Sequence, residues 1–250
     1  MQAQDFEDLY NLEERFWWFV AMRHITDTII KQDLQRQSLD ILDAGCGTGY
    51  NIQHYEKRGH RVFSFDVSED ALAGVRKRGV RRVCQASVTH IPYRSDAFDL
   101  VVSFEVVDQL EADGALEALR EMHRVLRPGG SLYIRLPAFE WMRSSHDADI
   151  ATAHRYTKPE LVGMLRRAGF EIRLASYANT LLLPVVVMKR SLKRFGIGRG
   201  SDVKPLPAGL AWMDTIFRSV LASEGRVLAA GRSLPFGLSV IAYAKKEMGR

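Results

Sequence analysis

The chain has 250 residues, is 46% hydrophobic and carries a net charge of +5, enough apolar material for one full core, so one domain with an elaboration is expected. Two cysteines, Cys46 and Cys84, exclude a disulfide framework and a cysteine metal cluster and suit a reducing cytoplasm, where the protein is expected to reside. No stretch approaches the ~20 apolar residues of a membrane span, and the acidic start MQAQDFEDLY lacks the apolar centre of a secretion peptide.

The positive charge is local. Between Leu181 and Phe236 nine Lys or Arg face three acids, so the basic character belongs to that segment and not to the rest of the chain.

Residues 3 to 35 read as helix, with an aromatic knot (Phe16, Trp17, Trp18, Phe19) followed by Arg23. Four adjacent aromatics cannot share one helix face. Some must cover another surface, either the main domain or a ligand. Arg23, one turn beyond Phe19, is placed to reach a carboxylate on a bound ligand.

The stretch Ile41 to Asn51, ILDAGCGTGYN, constrains the backbone most. An apolar run (Leu39, Ile41, Leu42) ends in Asp43. Gly45, Gly47 and Gly49 follow at alternate positions, and a helix starts at Tyr50. This strand, tight turn and helix start let a flat polar ligand lie on the backbone with helix N-terminal amides pointing at it. The dinucleotide fingerprint G-x-G-x-x-G would need its third glycine at Tyr50. The spacing here is G-x-G-x-G behind an acid.

A helix over Asn51 to Lys57 leads to a strand, Arg61 to Phe65, that ends in Asp66 and Val67. A carboxylate at that place can accept hydrogen bonds from ribose hydroxyls, while Ser68 caps the next helix. A third strand, Arg82 to Gln85, runs into Ser87 and Val88. Phe98 to Phe104, broken only by Asp99 and Ser103, reads as a central parallel strand. It delivers Phe104 and Glu105 to the carboxyl edge, where α/β folds bind ligands. Ala112 to Leu126 is an amphipathic helix stopped by Pro128-Gly129-Gly130, and Ser131 to Leu136 is the next strand. Thr157 caps a helix over Pro159 to Ala168, which leads to a sixth strand, Phe170 to Tyr177.

ILDAGCGTGYN, Asp66 and EMHRVLRPGGSLYIRLP together resemble, in order and spacing, the class I S-adenosylmethionine (SAM) dependent methyltransferases over about residues 39 to 177. The resemblance implies an α/β, Rossmann-like fold: a seven-stranded, mostly parallel sheet with an antiparallel last strand and helices on both faces. GLSVIAYAKK, residues 237 to 246, fits the seventh strand. The long segment before it is read as a helical insertion, 181–234. The domain reading is therefore an N-terminal helical lid, 1–35, and a methyltransferase domain, 36–250, that includes the insertion.

The resemblance further implies that the three glycines pass beneath SAM and that Asp43 helps to hold its amino end. Asp66, with Val67, takes the ribose. Relatives carry an acid near the adenine after strand three; this chain has Ser87 there, beside Val88. Phe104 completes the sheet-edge contacts. FWWF with Arg23, the SSHD and HRY pieces and the closing LPFGLSV resemble one bacterial subgroup, which usually has His where Phe16 stands. From these, Arg23 is expected to pair with the cofactor carboxylate while Trp17 or Trp18 closes over it.

Methyl transfer from a sulfonium is an in-line displacement in which the protein supplies position. A general base helps hydroxyl or acidic carbon acceptors and is dispensable for a neutral amine. Relatives often carry a histidine after strand four, in a pattern like EVLEH; this chain reads EVVDQ, with Gln109 in that place. His146, Asp147 and His154 follow strand five at the same sheet edge and are the remaining catalytic candidates. An exposed loop pair and a helix anchor are their plainer readings. Two histidines and an acid could hold a divalent ion, but no spacing is diagnostic and no metal is expected.

The expected function is methyl transfer from SAM to a small-molecule or carrier- or lipid-linked acceptor, with O-, N- or C-methylation open. A nucleic-acid methyltransferase, suggested by pI ≈ 9.3, is the alternative, and a non-catalytic SAM-binding scaffold is the third reading. Against nucleic acid, Phe104-Glu105-Val106-Val107 stands where exocyclic-amine enzymes carry Asp/Asn-Pro-Pro-aromatic, and no Pro-Cys nucleophile appears. Finally, Leu181, Leu182, Leu183, Val185, Val186 and Val187 precede Lys189, Arg190, Lys193 and Arg194. That order suits an interfacial helix on an anionic membrane or a contact with a second subunit, with a packed helix bearing a solvated basic face as the alternative.

Overall fold

The computed structural model describes residues 3–143, 147, 151–184, 187 and 212–248. Its centre is β1 (Asp40–Ala44), five residues that are all buried. Such a run can be stable only where both faces of the sheet are covered. β2 (Arg61–Asp66) and β4 (Phe98–Phe104) pair with β1 in parallel. The full order is β3-β2-β1-β4-β5-β7-β6, with β3 at Val83–Gln85, β5 at Leu126–Pro137, β6 at Phe170–Ala178 and β7 at Ser239–Lys246. β7 runs antiparallel to both of its neighbours.

Strand order reverses between β1 and β4, so the connections leaving their carboxyl ends diverge and open a crevice there. Alternate side chains separate the two cores. Leu42, Val101, Leu132 and Ile134 meet Leu119 and Met122 of α6 (Ala112–Val125) and Leu161 and Leu165 of the helix Lys158–Arg167. Ile41, Leu100, Val102 and Tyr133 meet Met22 and Ile25 of the N-terminal segment on the other face.

Three expectations change. The helix expected over 3 to 35 is three pieces: α1 (Ala3–Leu12), α2 (Trp17–Ile29) and α3 (Lys31–Leu34). Phe16 caps α2 in an extended conformation, φ −63° and ψ 128°. This elbow lets the knot split, because Trp17 turns to Phe217, ring centroids 5.0 Å apart, while Trp18 packs edge-on against Phe19. Secondly, Pro128-Gly129-Gly130 does not precede a new strand but lies within β5, at a register irregularity that leaves Leu126 opposite Phe98 and Ser131 opposite Leu100. Gly129 accommodates this at φ 79°.

The third change concerns the insertion. Its described helix, Trp212–Ala229, lies along α2, with Leu221 and Leu228 buried in the core that holds Ala21, Met22 and Ile25. Gly225 permits the approach, since a Cβ there would stand 3.5 Å from the Ile25 Cα. Glu224 ties the helix to the end of β6 by accepting from the Leu181 amide at 2.7 Å. The block Val185-Val186 and the basic Lys189, Arg190, Lys193 and Arg194, on which a membrane or subunit contact was expected, lie outside the described residues. Among the described residues no helix is long and apolar enough to cross a membrane.

Leu221 makes no contact with water. Leu221→Ala is expected to lower stability by about 2–5 kcal/mol, read from the urea midpoint. A loss of only a few tenths would show that the insertion helix does not share the N-terminal core.

Candidate cofactor and acceptor site

The site begins where β1 ends. The Gly45 and Cys46 amides both donate to the Phe65 carbonyl, at 3.1 and 3.0 Å, and fold the loop over the end of β2. The three glycines differ in purpose. Gly45, at φ 83°, has no room for a side chain because a Cβ would overlap Val106. Gly49, at φ 86°, caps α4 (Tyr50–Glu56) in the left-handed conformation, and a Cβ there would stand 3.0 Å from Val75. Gly47 is the open one, facing only Leu9 of α1 at 3.6 Å.

Asp66 supports this loop directly. Its Oδ2 accepts from the Gly47 amide and its Oδ1 from the Ser68 amide, each at 2.9 Å. Burial nevertheless raises its carboxyl above the ordinary range. Ser68 meanwhile caps the helix Glu69–Lys77.

Asp43 is fully buried, and neither carboxylate oxygen has a hydrogen-bond partner. Burial first, then the neighbouring Glu13 and Asp66, push its pKa up to about 8. A buried carboxyl without donors is expensive; what the place lacks is a cation.

The N-terminal segment is stitched onto this loop. Glu13, in the elbow between α1 and α2, accepts from the Thr48 hydroxyl and from Arg78 Nη2, the latter at 2.8 Å. Arg78 also donates to the Thr48 and Tyr10 carbonyls, both at 2.9 Å, and lies 4.1 Å from the Tyr10 ring centroid. Burial raises the Glu13 pKa even against Arg78. Arg23 donates to the Glu13 carbonyl at 2.9 Å and sits 4.3 Å over the Tyr50 ring.

Between the segment and the sheet edge lies a cavity of about 110 Å³. Leu9, Glu13, Phe19 and Arg23 line one side, Gly45, Cys46, Gly47 and Asn51 the floor, and Phe104, Glu105 and Arg135 the far wall. Glu105, at φ 58°, holds a left-handed backbone that a side chain disfavours, as is common where a chain turns at a functional site. Its Oε1 lies 3.2 Å from Arg135 Nε.

Of the residues singled out by sequence, Gly45, Gly47, Arg23 and Phe104 line this cavity, Asp43 and Gly49 flank the glycine loop in sequence, and Asp66 is bonded to it at Gly47. Trp18 enters through Arg135, whose guanidinium is 4.9 Å from its ring. Ser87 is engaged locally, sharing a 2.8 Å hydrogen bond with the Thr89 hydroxyl. Val88 is buried in the core with Leu42, and the Val67 side chain is 67% exposed.

Of the catalytic candidates, Asp147 and His154 do not line the cavity. His146 lies outside the described residues. Asp147, expected to orient it, is buried and bonded to Arg155 Nε at 2.7 Å, and Arg155 in turn donates to the Ala138 carbonyl. That pair fastens the chain leaving β5. His154 is half exposed, edge-on to Tyr156 at 4.6 Å and 4.0 Å from Glu160, which fits the plainer reading of a helix anchor.

Sequence reasoning missed Glu13, Thr48, Arg78, Arg135 and Asp108. Arg135 alone left a signal, as a charge inside the otherwise apolar strand LYIRLP. Asp108 is fully buried; Oδ1 has no partner, and burial and Glu105 push its pKa up to about 7.

Comparison with known proteins agrees with this geometry. The methyltransferase domain family matches residues 42–134. A probable SAM-dependent methyltransferase of Mycolicibacterium smegmatis is 30% identical over 166 residues, 64% of this chain and 62% of that protein. A malonyl-[acyl-carrier protein] O-methyltransferase of Enterobacter lignolyticus is 34% identical over 185 residues, 70% of this chain and 71% of that protein. Among solved structures, a SAM-dependent methyltransferase of Thermotoga maritima superposes with a TM-score of 0.58 at 18% identity, covering 98% of this chain and 100% of that one. The [4+2]-cyclase SpnF superposes at 0.57 and 21% identity, covering 90% and 81%. The chain belongs to the class I SAM-dependent methyltransferases. It spans 62% of the M. smegmatis relative and 48% of a Mycobacterium tuberculosis one.

Gly45 gives a direct test of the loop. Gly45→Ala is expected to lose about 1–3 kcal/mol from overpacking, beyond the strain of its positive φ. Adding Val106→Ala should restore part of the loss in thermal denaturation, because it removes the overlap and leaves the backbone strain. No recovery would mean that Val106 does not set the requirement for glycine.

Proposed function

We propose that this chain transfers a methyl group from SAM to a small-molecule or carrier-linked acceptor at the edge formed by β1, β4 and β5. The observation that carries the reading is Asp43: a buried carboxyl with two unpartnered oxygens beneath a loop whose Gly47 is open to a ligand. When bound, SAM supplies an electrophilic methyl on a sulfonium, so the residues have only to bind, orient and exclude water. Asp43 receives the cofactor ammonium, Asp66 the ribose and Arg23 the carboxylate. A carrier-linked acceptor draws support from the malonyl-[acyl-carrier protein] O-methyltransferase that the chain resembles over most of its length.

Residues 1–35 act as a lid in this reading. The cavity of about 110 Å³ is well below the ~300–1,000 Å³ of ordinary small-molecule sites. Leu9 and Glu13 occupy the wall that must withdraw when the cofactor enters, and the Glu13 contacts with Thr48 and Arg78 hold that wall in place.

Asp43 gives the pH signature. Its pKa of about 8 in the free protein means that it is protonated at pH 6.5. An ammonium beside it favours the ionised form, so cofactor binding at pH 6.5 should release close to one proton. Affinity should then rise as pH approaches 8. Calorimetry in buffers of different ionisation enthalpy measures the release, and Asp43→Asn should abolish it. An unchanged proton count in that variant removes Asp43 from the site.

Arg23→Ala is expected to weaken SAM binding by about 1.5–3 kcal/mol without weakening 5′-methylthioadenosine, which lacks the carboxylate. Equal losses for both ligands would show that Arg23 supports the fold of the lid and not the cofactor.

A further inference from the structure

Arg135 is a buried cation that the assignments above leave unused. It belongs to β5, opposite Phe104 of β4 and Ile241 of β7. Only 7% of the residue is exposed, and its guanidinium lies 4.9 Å from both the Trp18 and Phe104 rings. The single ion pair is from Nε to Glu105, at 3.2 Å. Among the described residues neither terminal nitrogen has a hydrogen-bond partner. A guanidinium presents five N–H donors in a planar fork that fits a carboxylate. A largely buried guanidinium with both terminal nitrogens unengaged, set in the wall of a cavity, marks the place of an anion.

The cofactor carboxylate does not account for it. Arg23 faces the glycine loop and Tyr50, where the amino-acid end of SAM lies in our reading, whereas Arg135 stands at the ends of β4 and β5, toward the acceptor. Among the described residues the cavity wall holds no histidine. Of its remaining titratable side chains, Glu13 is bound to Thr48 and Arg78, Glu105 faces Arg135, and burial pushes the Cys46 thiol well up. Among the described residues of this wall, a hydroxyl or carbon acid that must lose a proton finds no free base. An acceptor that arrives as an anion needs none.

We propose that Arg135 recognises an anionic acceptor and that the acceptor's own carboxylate is the group methylated. This rests on the methyltransferase reading above and specifies its substrate class. One carboxylate oxygen lies on the Arg135 fork while the other attacks. An oxygen–carbon bond forms to the methyl group, the carbon–sulfur bond breaks, and its electron pair stays on sulfur. The negative and positive charges cancel, a methyl ester and a neutral thioether result, and no proton moves. Charge cancellation between reactants is favoured where water is excluded, which matches a cavity walled by Leu9, Phe19 and Phe104. Arg135 would otherwise oppose a sulfonium nearby, and the acceptor anion offsets that repulsion.

The test is calorimetry on the full chain saturated with S-adenosylhomocysteine, with hexanoate, methyl hexanoate and inorganic phosphate as probes. Hexanoate should bind, its neutral methyl ester should not, and Arg135→Gln should weaken hexanoate at least ~10-fold with S-adenosylhomocysteine affinity unchanged. Arg135→Lys, which keeps the charge without the fork, should fall between and serves if the Gln variant does not fold. Equal binding of acid and ester, no hexanoate binding by the unaltered chain, or hexanoate binding unchanged in either variant overturns the acceptor assignment alone. Phosphate bound in place of hexanoate overturns the carboxylate choice. Failure of the unaltered chain to bind S-adenosylhomocysteine overturns the methyltransferase reading and this proposal with it.

Discussion

The structure depends on one unsatisfied group. Asp43 closes the most buried strand of the sheet with a carboxyl that water cannot reach and that no donor meets. Everything around it fits a ligand better than an empty fold. The loop beyond it holds glycines at positive φ, its outer face is presented by Gly47, and Asp66 holds that loop in place through the Gly47 amide. The sign of the linkage follows from the raised pKa. The folded state holds a proton on Asp43 that the unfolded chain gives up near 3.8, so this carboxyl favours folding most at low pH and progressively less as pH rises toward 8. Asp108 adds a term of the same sign up to about 7. Near neutrality the ligand-free site is at a disadvantage that a bound cation reverses.

The N-terminal segment answers to the same economy of charge. Glu13 would be a second isolated buried acid; Thr48 of the glycine loop and Arg78, at the end of the helix Glu69–Lys77 that packs on Gly49, compensate it. The segment is thereby coupled to the state of the loop. Its other face is fixed by the helix Trp212–Ala229, through Trp17 on Phe217 and Arg218 on the Arg15 carbonyl. A movement of α1 can therefore hinge at the elbow near Glu13 and Phe16 while α2 stays packed.

What could be read from the sequence was whatever had a local period or a local turn. The buried strands, the glycine loop, the Ser68 and Thr157 caps and the antiparallel last strand all announce themselves within a few residues, and the sheet is the expected seven-stranded one. The elbow at Phe16 carried no such signal, because the pattern of 3 to 35 is helical throughout and the break is set by Glu13 meeting residues far along the chain. The docking of the Trp212 helix on α2 joins segments that no short-range pattern connects. Asp147 looked catalytic because it follows a histidine and a strand; its carboxylate instead meets Arg155, a partner whose relevance appears only when the chain leaving β5 folds back.

The fold by itself does not choose the chemistry. The [4+2]-cyclase SpnF shares it at a TM-score of 0.57, so the reaction must be argued from side chains at the carboxyl edge. At that edge the wall holds, among the described residues, Arg23, Arg135, Glu13 and Glu105 but no histidine. Glu13 is turned away into the Thr48 and Arg78 contacts, and Glu105 faces Arg135. In the proposed reading Asp43 offers the cofactor side a carboxyl that an ammonium would ionise, and Arg135 offers the acceptor side two terminal nitrogens that Glu105 leaves unbonded among the described residues. An acceptor that brings its own negative charge would take up those donors, and such a partner lets the site dispense with a base.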